Sequence, residues 1–155
     1  MSNLMDGKSL VKNLCSWNLD FPLRNSIGDG YILAGSTKEF FNSEIYAQHT
    51  SNNVLFCGLD GEGSHARVYI ENEEMRKHLG YDSEDGKTKQ KILTDAKCEE
   101  ILSYKTKKAF ENAVTDAIVT EPEKLKIIAY AKKKKLNDYD KIAFIEDHTG
   151  KKFRD

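Results

Sequence analysis

The stretch Cys57-Gly-Leu-Asp-Gly-Glu-Gly-Ser-His65 holds the densest collection of reactive side chains in the chain. Asp60, Glu62 and His65 are donors of the kinds that hold a divalent cation. With His49 as a fourth participant they would form a metal-assisted hydrolase or nuclease centre. Ser64 and His65 supply a nucleophile and a base, but neighbours on extended backbone point to opposite faces, which keeps them apart. The glycines follow neither the dinucleotide-binding order nor the phosphate loop, which ends in Gly-Lys-Ser/Thr. A calcium loop needs its acids more widely spaced. Gly58, Gly61 and Gly63 have a conformational reason of their own, a permissive hairpin turn with solvated acids, and that is the reading preferred. No cofactor and no metal is expected.

The remaining chemistry-bearing groups have equally plain accounts. His78 and His148 fall at the ends of predicted helices, where the helix dipole favours them. The acidic groups Glu71-Glu73-Glu74 and Asp82-Glu84-Asp85 read as solvated acids, Glu73 and Glu74 in a first helical turn. Lys132, Lys133, Lys134 and Lys135 are the candidate nucleic-acid contact. Each step along a helix turns about 100°, so four consecutive lysines radiate instead of forming a stripe. Only Tyr130 and Phe153 lie near enough in sequence to stack on bases. A dipole-matched, solvated helix end is therefore preferred over nucleic-acid binding.

These residues must be positioned by elements whose composition changes along the chain. Of the 155 residues, 24 are Lys or Arg and 25 Asp or Glu, a balance that excludes a general nucleic-acid coat. Residues 1–80 carry seven basic against ten acidic side chains, and residues 81–155 carry seventeen against fifteen. Seven of the ten glycines precede residue 65, between short apolar runs, which marks strands and turns. The second part is rich in Lys, Glu and Ala. The fold class expected is α+β: a small antiparallel β sandwich or open barrel over residues 1–81, a polar linker over 82–90, and a bundle of three or four helices over 91–155.

Within the β part, Val11, Cys15, Trp17, Leu19 and Phe21 alternate with polar residues and predict one strand with a buried face. Tyr31-Ile32-Leu33 and Lys38 to Phe41 predict two more, followed by a short helix from Glu44 to about His49 capped by Asn42 or Ser43. Asn53–Cys57 and Ala66–Ile70 predict a hairpin around the glycine loop. In the helical part, Asn72 and Gly80 bound one helix, and Thr94-Asp95 opens another. Phe110, Val114 and Ile118 share a face of a third over Lys107 to Val119. Thr120-Glu121-Pro122-Glu123 is a capping box, and Asn137-Asp138 caps a last helix that stops at Gly150.

Cys15, Cys57 and Cys98 are odd in number and far apart, which fits neither a disulfide framework nor a zinc site and points to a reducing, cytoplasmic setting. No apolar stretch approaches the ~20 residues of a membrane helix, and no secretory leader is expected from MSNLMDGKSLVKNLCSW.

The Asn-rich β part, with NSEI (Asn42 to Ile45) and NNVLFCGLDGEGSHARVYI (Asn52 to Ile70), and the Lys/Glu-rich helical tail together resemble small accessory proteins of tailed phages. That resemblance implies a virion-associated or host-interaction role and carries over no catalytic residue. The function expected is therefore a non-enzymatic binding or assembly protein, its partner another protein or copies of itself. Strand edges would be available for pairing, with Tyr31, Phe40 and Phe41 as contact candidates. Trp17 is a fourth aromatic in this group, with the β core as its preferred place. The alternatives are the metal-assisted enzyme at Asp60, Glu62 and His65, and a host-modulating inhibitor or nucleic-acid-binding protein using the Lys132–Lys135 end.

Overall fold

In the computed structural model, which describes residues 3–153, the chain is mixed α+β and divides into two units, Met1–Ile92 and Leu93–Asp155. No helix among the described residues is long and apolar enough to cross a membrane.

The first unit is built on β1 (Lys8–Asn13), the middle strand of an antiparallel sheet ordered β4–β1–β5, where β4 is Thr37–Phe41 and β5 is Val68–Ile70. Alternation sends Ser9, Val11 and Asn13 of β1 inward and leaves Lys8 and Leu10 in water. A second, two-stranded sheet pairs β2 (Leu19–Phe21) with β3 (Gly30–Ile32). Among the described residues the strands form no closed barrel. The alternation from Val11 to Phe21 predicts one strand, but the chain forms two, because Asn13 is fully buried and turns it. Its Nδ2 donates to the carbonyls of Trp17 and Ile32 at 2.8 and 3.1 Å, and its Oδ1 accepts from the Cys15 amide.

A 3-10 turn (Leu4–Asp6) and three α-helices among the described residues complete this unit: α1 (Asn42–Thr50), α2 (Val54–Cys57) and α3 (Glu73–Leu79). The cap of α1 is Phe41, without a side-chain bond; Asn42 instead turns to the Leu4 carbonyl and Ser9. The hairpin predicted around the glycine loop does not form. Val54–Cys57 is a helical turn capped by Asn53, whose side chain accepts from the Leu55 amide, and β5 pairs with β1. Asn72 and Gly80 do bound α3, Gly80 in the left-handed conformation that suits glycine. The core joins both sheets to the helices: the Phe21 ring lies 5.8 Å from Phe40 and 5.2 Å from Phe56, with Val11, Ile45 and Met75 fully buried around them.

Residues 82–90 are not a free linker. Asp82 and Gln90 are buried, Asp82 against Arg76 and Gln90 through a bond from its Nε2 to the Gly63 carbonyl at 2.9 Å. The segment is part of the first unit, and the boundary falls after Ile92.

The second unit consists of α4 (Asp95–Ser103), α5 (Lys107–Ala117), α6 (Glu121–Lys133) and α7 (Tyr139–Thr149) around one core that includes Cys98, Ile101, Phe110, Val114, Ile127 and Ile145. Their starts are fixed locally. Thr94, Thr106 and Asp138 each accept an amide proton from the first turn, and Glu123 reaches back to the Thr120 amide at 2.8 Å in the capping box. Each such cap is worth about 1 kcal/mol. All three cysteines of the chain are free and buried.

Candidate functional site

The glycine loop uses its chemistry on itself. Asp60 Oδ1 accepts from the Glu62 and Ser64 amides at 2.8 and 3.2 Å. Burial opposes its ionisation, but these bonds and the Ser64 hydroxyl outweigh it and hold the carboxyl below its ordinary value. Glu62 is exposed, while His65 is buried in the left-handed region (φ 60°) with its amide on the Lys91 carbonyl at 2.8 Å. Asp60, Glu62, His65 and His49 are not brought together: among the described residues no group of three or more His, Cys, Asp or Glu is arranged to hold a metal ion.

His49 instead belongs to a cluster that sequence spacing does not reveal. At the end of α1 its Nδ1 lies 2.9 Å from the Tyr81 hydroxyl and 3.7 Å from Cys57 Sγ, while Cys57 donates to the His49 carbonyl at 3.3 Å. Burial pushes the Tyr81 phenol and the Cys57 thiol upward, so both keep their protons, and the Tyr81 hydroxyl also donates to Cys57 Sγ at 3.8 Å. Burial, reinforced by nearby His78, lowers His49. A cysteine nucleophile needs the reverse, a depressed thiol beside a cationic imidazole. The cluster is a lock between α1, α2 and Tyr81.

The aromatic contact candidates separate. Phe40 is 7 % exposed and part of the core, so it is corrected from surface anchor to packing residue. Phe41 and Tyr31 are 47 % and 40 % exposed, Tyr31 accepting a bond from Asn18 Nδ2 at 2.7 Å. Trp17, expected in the core, is 40 % exposed because the chain turns after Asn13.

Phe41 lies on β4, an edge strand. Bonds from the Asn13 amide to the Ser36 carbonyl and from the Asn42 amide to the Gly7 carbonyl fix which residues face β1: the even-numbered ones from 36 to 42. Thr37 and Glu39 therefore direct both backbone groups outward, and Phe41 its N–H. No other strand among the described residues pairs with this side. Beside it runs a groove of about 240 Å³ lined by Leu23, Ile27, Asp29, Lys38, Phe40 and Phe41, among others. Ile27 stands fully exposed on its far wall. Lys8 and Lys38 lie over the Phe41 and Phe40 rings, 4.7 and 5.6 Å from the centroids. β5 and both strands of the two-stranded sheet are edge strands as well; what distinguishes β4 is the groove beside it, and its outward parity follows from a register no local pattern encodes.

Lys132 to Lys135 are all exposed at the end of α6, Lys134 over the Tyr130 ring at 5.6 Å and Lys135 in the left-handed conformation. The Tyr130 hydroxyl is bonded to Glu99 at 2.7 Å, and the half-buried Phe153 packs on the second core. His78 and His148 sit in last helical turns as expected, His148 Nε2 2.6 Å from the Ile118 carbonyl. Comparison with protein-family models, curated proteins and solved structures finds no match for this chain.

Proposed function

We propose that this chain is a non-enzymatic protein-binding protein that accepts an extended segment of a partner on the free edge of β4. The observation that carries this reading is the outward row of backbone groups at Thr37, Glu39 and Phe41 beside an apolar groove. An unpaired edge supplies main-chain bonds for affinity, and the flanking groove supplies selectivity. In this reading the first unit acts as a small open sandwich with one working edge, and the second as a four-helix bundle. The resemblance to phage accessory proteins agrees with it: virion assembly and host inhibition both work by surface contact, in the host cytoplasm or the virion.

Proline at position 39 tests the reading. Glu39 directs its N–H away from β1, so Glu39→Pro removes an edge donor while sparing the β1 ladder. The variant is expected to keep its far-UV spectrum and to lose partners that the unaltered chain retains in a pull-down. Equal retention of those partners by the folded variant would overturn the reading.

A further inference from the structure

The charges along β4 distinguish between partners. Resting on the strand-addition reading, we infer that the occupant of this edge is an extended segment of a different protein and not a second copy of this chain. Run antiparallel to β4, the segment reads aliphatic–aliphatic–basic–acidic–β-branched from its N-terminus.

Self-pairing is disfavoured by register. A two-fold pairing of β4 with itself must join outward-facing residues to outward-facing residues, which leaves three alignments pairing more than one residue per chain. The full five-residue overlap sets Glu39 directly against its own counterpart. A shift one way sets Lys38 against Lys38. A shift the other way centres on Phe40, whose side chain is turned into the core, and is cut to three residues because α1 begins at Asn42. Like charges directly opposite destabilise a strand pair. The Lys8–Glu39 contact across the sheet, at 3.9 Å and half-exposed, is too weak to neutralise Glu39.

A heterologous strand has no such conflict. Antiparallel addition is the more stable arrangement per residue, and it places the incoming residues opposite Phe41, Phe40, Glu39, Lys38 and Thr37 in that order. The first lies beside the exposed Phe41, where an aliphatic or aromatic group gains most. The second points toward the groove wall at Leu23 and Ile27. The third faces Glu39 and is basic. The fourth faces Lys38, whose ammonium is bonded to the Asp29 main-chain carbonyl at 3.1 Å and still carries a charge an acid can meet. The fifth faces Thr37, a β-branched partner for a β-branched residue.

Two acetylated, amidated peptides of equal composition test this, one centred on Val-Val-Lys-Glu-Val and the other on Val-Val-Glu-Lys-Val, titrated calorimetrically against the full chain at low salt. The first is expected to bind about tenfold more tightly, since two cross-strand pairs change from repulsive to attractive. Added salt should narrow the gap. The double variant Lys38→Glu/Glu39→Lys should prefer the second peptide. Equal affinity of both peptides overturns the charge assignment and leaves strand addition standing, whereas no binding by either removes both. Sedimentation showing self-association that Glu39→Pro abolishes would make a second copy the occupant and overturn the inference.

Discussion

Arg76 and Asp82 form an ion pair buried on both sides, Nε to Oδ2 at 3.0 Å, with side-chain exposures of 9 % and 0 %. The same guanidinium donates through Nη1 to the Ile70 carbonyl at 2.7 Å, and Asp82 Oδ1 accepts from the Gln90 amide at 2.8 Å. One pair thus ties the end of β5, the end of α3 and the 82–90 segment together.

Removing Arg76 leaves the buried Asp82 with only the Gln90 amide and the half-exposed Lys89, 3.8 Å away, to balance its charge. Arg76→Ala is expected to destabilise the first unit by about 3–5 kcal/mol. Trp17, the only tryptophan and a member of that unit, reports it in a urea titration. Replacing both residues, as Arg76→Met with Asp82→Leu, should cost clearly less than the single change, because no uncompensated charge remains. A single-variant loss under 1 kcal/mol would contradict the burial of the pair.

Glu44 is buried on α1 and accepts from the Arg24 and Asn25 amides at 2.9 and 2.8 Å and from Gln48 Nε2 at 2.8 Å. Burial opposes its charge, but the bonds it receives outweigh that and hold the carboxyl below its ordinary value. Glu44→Gln turns an N–H toward other N–H groups and is expected to cost about 1–3 kcal/mol. The Arg24 and Asn25 amides should lose hydrogen-exchange protection first, and unchanged protection there would argue against the role.

The helical half was the more legible because its signals are local. Thr120 and Glu123 carry the capping box within four residues, and Asp138 and Gly150 mark α7 in the same way. The β half depends on partners far apart in sequence. A four-residue apolar run, Val54–Cys57, suits a strand or a helical turn equally, and only Asn53 hints at the cap that decides it. Asn13 looks like an interruption in an alternating pattern until the bonds of its buried side chain to residues 17, 32 and 33 are seen. Asp82 and Gln90 look like linker residues because the groups that bury them, Arg76 and Gly63, carry no pattern that reaches across the intervening chain. Of the candidate sites, the exposed Phe41 and Tyr31 were legible as large aromatics, whereas the Tyr81–His49 contact and the outward parity of Glu39 are products of tertiary pairing.

Gly63 and Gly61 lie two residues apart in the same loop and separate steric from conformational cost. Both have positive φ, 89° and 78°. A Cβ at Gly63 would stand 2.7 Å from the Tyr81 ring and from Gln90 Nε2, while one at Gly61 meets nothing within 4 Å. Gly61→Ala should cost about 1–2 kcal/mol for the left-handed backbone alone. Gly63→Ala should cost about 1–3 kcal/mol more, from overpacking against Tyr81. Equal losses in thermal unfolding would show that the loop does not rest on that ring.

The His49–Tyr81 bond makes the first unit acid-sensitive in a defined window. Tyr46 and His78 face the imidazole or its neighbourhood, with Tyr46–His49 and Tyr46–His78 ring centroids 6.5 and 5.6 Å apart, and Cys57 and Tyr81 close the other side. Among the described residues no carboxylate is bonded to the ring to welcome a proton, and burial together with His78 lowers its affinity for one. The unfolded chain therefore takes up a proton at the ordinary histidine value near 6.5, before the folded chain does. The stabilisation is complete above that value and is lost progressively as pH falls through the lower folded value. Glu44 and Asp60, both held below their ordinary values, add losses of the same sign in the carboxylate range, so the histidine step is the one nearer neutrality. Urea midpoints followed by Trp17 fluorescence should fall between pH 7 and pH 5, and His49→Gln, whose amide can still bond the Tyr81 hydroxyl, should flatten that interval while leaving the more acidic loss in place. A midpoint that falls equally in the variant would assign the transition to other groups and remove His49 from it.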